Sequence, residues 1–229
     1  MTKLPHPPMH HAAEATLVCH AAGGLDEASR AVVATHLYAC PQCREVARLA
    51  EAVGGQLLDG LAPASLAPDA LAHALARLDR PAPPAPPAPP ADSAALGDIA
   101  LPPSLLRYAR RPGGLGRWRW VAPGIRHIRL LPEPGAPRDG STLYLLKLAP
   151  GSKVPEHGHR GHETVCVLAG SYSDRLGRFG PGDLAEADAE VEHQPVADAG
   201  QDCICLIATT APLRFHGRAA RLLQPVLGF

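Results

Sequence analysis

Two groups of residues in this 229-residue chain have the types and spacing of metal ligands. The first is His36-x3-Cys40-x2-Cys43. A separation of four places His36 and Cys40 on one helix face, and Pro41 interrupts the helix so that Cys43 can reach the same point from the next one. Thiolate and imidazole are the usual zinc ligands, and a closed structural site takes four of them. The motif supplies three, and His6, His10, His11 and His20 stand upstream as sources of a fourth. The second group is His157-x-His159-x3-Glu163, with His193 further along. Residues two apart on a strand share a face, so both imidazoles point one way, and Glu163 is expected to return on the adjoining strand. Imidazoles with one carboxylate suit zinc, iron, manganese or nickel. His162, beside Glu163, is expected to face away from the site.

These groups need elements to hold them. Asp26 can cap a helix from Glu27 to about Tyr38. Pro41 suits the first turn of a helix that Gly54-Gly55 would end near Val53. Pro68 and Asp69 open another, with Leu71, Leu75 and Leu78 on one stripe that could close the core or dock on a partner; core packing is the expectation for one helix taken alone. Helices this short are marginal by themselves, so a bound metal has a clear structural use. Seven of the ten residues from 81 to 90 are proline, a polyproline II spacer that would set its ends about 30 Å apart. After residue 98 the texture changes to short apolar runs broken by glycine and proline, among them Ile125–Leu131, Thr142–Leu148, Thr164–Leu168 and Cys203–Ala208. That density of strands predicts an antiparallel sandwich or barrel. The expected organisation is therefore α + β and multidomain: a small all-α, zinc-bound domain over 1–80, a proline-rich linker over 81–98, and an antiparallel β domain over 99–229.

Lys plus Arg equals Asp plus Glu at 22 each, which gives no strong field for nucleic acid or membrane. Residues 1–79 hold five basic and eight acidic side chains, a mild acidity that suits a basic protein partner rather than DNA. The first fifteen residues lack the apolar stretch of a secretory signal, and no run reaches the length of a membrane span, so a cytoplasmic protein is expected. Reducing surroundings make the six cysteines ligands or redox thiols rather than a disulfide framework. Cys203 and Cys205 share a strand face, which suits either a joint redox or ligand role or simple core packing, and their backbone separation strains a direct disulfide. Cys19 and Cys166 read as core.

The segment AVVATHLYACPQCREVA resembles the zinc-containing anti-sigma factors, which are marked by His-x3-Cys-x2-Cys and a further upstream histidine. His10-His11, Ala21-Ala22-Gly23-Gly24-Leu25 and Val32-Val33-Ala34-Thr35-His36-Leu37 are similar to the ChrR group in particular. That resemblance implies His11 as the fourth ligand beside His36, Cys40 and Cys43, with its neighbour His10 the alternative. Residues 151–170 resemble the first cupin motif at Gly151, His157, His159, Glu163 and Gly170, which implies a jelly-roll barrel with a His3Glu metal site completed by His193. The second cupin motif keeps Gly182 and His193, but its usual Pro, Gly and Asn positions fall on Asp188, Glu190 and Ala197, which speaks against ordinary cupin enzyme chemistry. The likeness continues through HGHRG, RFGPGD, DCIC and APLRF. It implies an anti-sigma factor that holds an extracytoplasmic-function sigma factor one to one through its zinc domain. On singlet-oxygen-type oxidative stress, sensed with the cupin metal (zinc or another divalent transition metal), the sigma factor would be released. The alternative is a metal-dependent cupin dioxygenase or thiol-oxidising enzyme with an accessory zinc domain, because an open His3Glu site that held iron could activate O2.

Overall fold

A computed structural model describes residues 7–78, 95–97, 99–131 and 140–215. The helices are α1 (Glu14–Ala21), α2 (Glu27–Ala39), α3 (Pro41–Asp59), α4 (Ala70–Leu78) and α5 (Pro103–Ala109). Asp26 caps α2 as its residue type predicts, its Oδ1 accepting from the amides of Ala28 and Ser29 at 3.0 and 3.1 Å. Cys40 ends α2 and caps α3, where Pro41 takes the first position.

Strands β1 (Ala95–Leu96) and β2 (Ile99–Ala100) form a short antiparallel pair. Six strands make the main sheet: β3 (Arg119–Ala122), β4 (Ile125–Leu131), β5 (Thr142–Leu148), β7 (Glu163–Ala169), β10 (Leu184–Ala187) and β13 (Cys203–Thr209). All pair antiparallel, in the order β10-β7-β13-β5-β4-β3. Two three-stranded sheets complete the structure. One joins β6 (His157–Gly158), β11 (Glu192–His193) and β14 (Arg214–Phe215) in the order β11-β6-β14. The other joins β8 (Tyr172–Asp174), β9 (Gly177–Phe179) and β12 (Val196–Ala197) in the order β12-β8-β9.

The central strands of the main sheet are buried on both faces, which is why β5, β7 and β13 read as nearly unbroken apolar runs. Along β5, Tyr144, Leu146 and Leu148 face a core shared with Val165, Tyr172, Phe179 and Cys205. Leu143 and Leu145 face the opposite way, into a core shared with Leu17, Val32, Val33, Leu105 and Tyr108 of the helices. Helices α2 and α5 also meet through Thr35 Oγ1 and Ser104 Oγ, 2.7 Å apart, and through an Arg107–Glu27 ion pair at 3.0 Å.

Three expectations change. The helical part is not held off from the β part: α2 packs on β7 and β13, because Val32 and Val33 are fully buried against that sheet. The proline spacer itself lies outside the described residues. Helix α3 does not stop at Gly54-Gly55 but runs on to Asp59. Neither glycine takes a positive φ, so each only weakens the helix, by ~1 kcal/mol relative to alanine, instead of turning the chain out of it. Finally, Leu71, Leu75 and Leu78 are not core; they are 71%, 53% and 80% exposed, and α4 buries no residue.

Candidate metal centres

The N-terminal centre forms where the end of α2 meets the start of α3. Ligand atoms of His11, His36, Cys40 and Cys43 all lie within 4.8 Å of one another. His11 Nδ1 stands 3.3 Å from Cys40 Sγ and 3.5 Å from Cys43 Sγ. A tetrahedral cation with ordinary metal–sulfur and metal–nitrogen bonds would set such atoms roughly 3.6 Å apart. His10 is elsewhere: its Nε2 lies 3.1 Å from the Arg178 carbonyl and its ring packs on Phe179. His36 is fully buried. Its Nδ1 lies 2.7 Å from the Gly182 carbonyl, which can only accept, so Nδ1 carries the proton and Nε2 keeps a free lone pair. That buried Nε2 has no hydrogen-bond partner among the described residues, a costly state that a cation would relieve. Burial, with Cys40 beside it, pushes the Cys43 thiol up to about 11. Without a cation Cys43 therefore stays protonated at neutral pH, and metal binding must displace its proton.

The second centre lies inside the β structure. His157, His159, Glu163 and His193 are each 5% exposed or less, and their ligand atoms too lie within 4.8 Å of one another. The ladder of β6 and β11 places His193 directly opposite His157, and their Nε2 atoms stand 3.1 Å apart. Glu163 does not come from an adjoining strand: it opens β7 in the main sheet, so the ligands converge from two sheets across the interior. Strand β6 ends at Gly158, and the chain beyond it crosses from one sheet to the other. Gly170 ends the β7 segment with φ +66, where a Cβ would meet the Asp202 carbonyl oxygen at 2.3 Å. His162 is exposed, with its amide on Thr210 Oγ1, and takes no part.

Each imidazole is aimed by its other nitrogen or left open. His157 Nδ1 donates to the Pro155 carbonyl at 2.8 Å, and His193 Nδ1 donates to Asp174 Oδ2 at 2.8 Å. Both ring nitrogens of His159 are buried without a partner among the described residues. Burial opposes charge on His193, yet Asp174 and Glu163 outweigh it and raise its pKa to about 9. Burial would likewise raise Glu163, but His193 and the other two imidazoles hold it below the usual carboxylate range. The metal-free site thus keeps a proton where a cation's charge belongs. Asp174 carried no spacing signal in the sequence, since its partner is nineteen residues away. Replacing it with alanine is expected to weaken metal binding at this centre about 10–100-fold, as read by competition with a chelator. Unchanged affinity would show that His193 needs no orienting partner.

The cavity beside this centre measures about 40 Å³ and is lined by Tyr144, Tyr172, Cys205 and Leu213 as well as by His157, Glu163 and His193. Cys203 and Cys205 face this interior with their sulfurs 3.7 Å apart. The neighbouring Cys203 thiol, then burial, raise the Cys205 pKa well above the ordinary value. Cys166 is buried on the opposite face of the sheet and Cys19 is half-buried.

Residues 116–212 match the family model of the ChrR cupin-like domain. The chain is 44% identical over 220 residues to the anti-sigma-E factor ChrR of Cereibacter sphaeroides, covering 94% of this chain and 96% of that protein. The chain belongs to the ChrR family. It is also similar to the crystal structure of Rhodobacter sphaeroides SigE in complex with the anti-sigma ChrR. That match has a TM-score of 0.70 and 42% identity, over 87% of this chain and 98% of the other. The fold is accordingly that of a ChrR protein, a helical N-terminal part followed by a cupin-type antiparallel β structure, as the strand pattern predicted.

Proposed function

We propose that this protein is an anti-sigma factor that binds an extracytoplasmic-function sigma factor one to one and releases it under oxidative stress of the singlet-oxygen type. The near full-length identity to a protein of that name carries the reading. The geometry supplies a surface for it: Leu57, Leu58, Leu61, Leu71, Leu75 and Leu78, on and between α3 and α4, are all more than half exposed. Apolar exposure of that extent marks a protein-binding face, and leucines recurring along a helix suit a groove on a partner.

In this division of labour residues 1–80 form the sigma-binding domain, with zinc on His11, His36, Cys40 and Cys43, and residues 99–229 form the sensing domain. The cupin metal, zinc or another divalent transition ion, rests on His157, His159, Glu163 and His193. Cys205 lines the same cavity as His157, Glu163 and His193, so an oxidant admitted to the metal also reaches the Cys203–Cys205 pair. A substrate-processing oxygenase is not favoured. Pockets for small-molecule ligands run to about 300–1,000 Å³, whereas this cavity has room for a few waters at most. Among the described residues no helix is long and apolar enough to cross a membrane, and we place the protein in the cytoplasm.

Co-expression with candidate sigma factors, affinity capture and metal quantification tests the reading. One sigma chain and two metal ions per molecule are expected. His159→Ala should capture sigma as well as the parent does but fail to release it on singlet-oxygen exposure. Normal release by that variant would remove the cupin metal from the sensing role.

A further inference from the structure

The N-terminal quartet is not positioned by the helices alone. His11 lies in a segment that crosses the edge strand β10 of the main sheet. The amides of Met9 and His10 donate to Asp183 Oδ1 at 2.6 and 3.0 Å, and the Leu184 amide donates to the His10 carbonyl at 3.2 Å. Beyond His11, the Ala13 amide donates to Glu186 Oε2 at 2.8 Å and the Thr16 hydroxyl to Glu186 Oε1 at 2.6 Å. A sixth hydrogen bond joins His36 Nδ1 to the Gly182 carbonyl. The His36 ring, carried by α2, and the segment that carries His11 are therefore both held by residues 182–186 of the cupin part, while the two cysteines are placed by the α2–α3 junction alone. The same stretch leads toward the other centre, because Ala187 of β10 stands opposite Glu163 in the β7 ladder.

We infer that Asp183 and Glu186 are positioning residues for the N-terminal zinc, so that zinc retention depends on the cupin part being docked. The inference rests on the zinc reading of the quartet and adds what controls it. Asp183 is 4% exposed and straddles the joint, since its Oδ2 accepts from the Gly180 amide of its own turn at 2.8 Å while Oδ1 holds the N-terminal segment. The coupling is reciprocal by linkage: whatever docking adds to zinc affinity, zinc adds to docking. A disturbance at the cupin metal that shifts β7 against β10 is thereby transmitted to two zinc ligands without passing through the proline segment.

The test uses the full-length, zinc-loaded chain in a His159→Ala background, so that only the quartet carries metal, and follows zinc transfer to a chromogenic chelator. Glu186→Ala removes the hydrogen bonds to the N-terminal segment, together with a negative charge near His36 and Cys43, and is expected to speed zinc loss about tenfold, the lower end of what a lost outer partner of a ligand costs. Glu186→Gln, which still offers one acceptor oxygen, should fall between. The visible bands of the cobalt-substituted quartet should shift in Glu186→Ala while the melting temperature of the β part does not, a pattern that simple loss of stability would not give. Zinc loss at the parental rate in both Glu186→Ala and Asp183→Ala overturns the inference. A parent chain with no zinc in the quartet would instead overturn the zinc reading itself, and this inference with it.

Discussion

Replacing Cys40 and Cys43 by serine is expected to leave the N-terminal quartet without zinc and the chain without a measurable hold on its sigma factor. The size of the effect follows from how little else organises these helices. Helix α1 buries one residue, Leu17, and α3 buries only Cys43 and Ala47. One of the two residues that α3 buries, Cys43, is thus itself a ligand, and the ligand Cys40 caps the helix. Structural zinc sites of this kind carry about 10–16 kcal/mol of apparent binding free energy, and that term has no apolar substitute here. Serine cannot supply the thiolate, although its hydroxyl can keep the cap that Cys40 Sγ gives the Cys43 amide at 3.4 Å, so the loss is one of metal ligation alone. The sheet-facing side of α2 should survive, because Val32 and Val33 remain packed on β7 and β13. The damage should therefore appear as a disordered α3 and α4 on an intact β part. Metal analysis and calorimetric titration with the sigma factor check this. Normal binding by a zinc-free double variant would falsify the structural role of the metal.

Leu71→Asp combined with Leu75→Asp is expected to have almost as large an effect on binding and almost none on folding. Both side chains are more than half exposed and α4 buries nothing, so the substitutions should change stability by no more than about 0.5 kcal/mol. As anchors in a partner's groove, however, each could contribute 2 kcal/mol or more, roughly thirtyfold per residue. The double variant should bind sigma on the order of a thousand times more weakly while keeping both metals and its circular dichroism. Retained affinity would shift the interface away from α4. A loss of affinity accompanied by a loss of zinc would instead mean that α4 serves the fold.

The contrast between these variants reflects what the sequence made readable. Ligand types at fixed spacing marked both quartets, because coordination demands particular atoms at particular separations and so leaves a local trace. The strands of the main sheet were legible for a similar reason. Burial on both faces makes β5 and β13 apolar over most of their length, and Gly170 marks the turn that closes β7. Less visible was everything that depends on long-range docking. Leu71, Leu75 and Leu78 read as a core stripe because periodicity records which residues share a face, not whether anything in the same chain covers it. Asp174 and Glu186 left no signal, and the motif that marked Gly182 and Asp183 gave no hint of their N-terminal partners, since the sheet alone brings those partners to them. The proline run suggested separation, yet Val32 and Val33 on α2 needed a surface and found it on β7 and β13. A linker's stiffness does not decide whether the parts it joins attract each other.

Helix α3 continues through two glycines and buries nothing beyond Ala47, and its outer half leads to a band of uncovered leucines. Such a band makes solitary copies vulnerable, because apolar surface that no subunit covers invites self-association and proteolysis. Molecules in surplus over the partner should be cleared sooner than those in complex. The ratio of inhibitor to target in the cell would then be set by mutual protection, with synthesis rates needing only to be approximately matched.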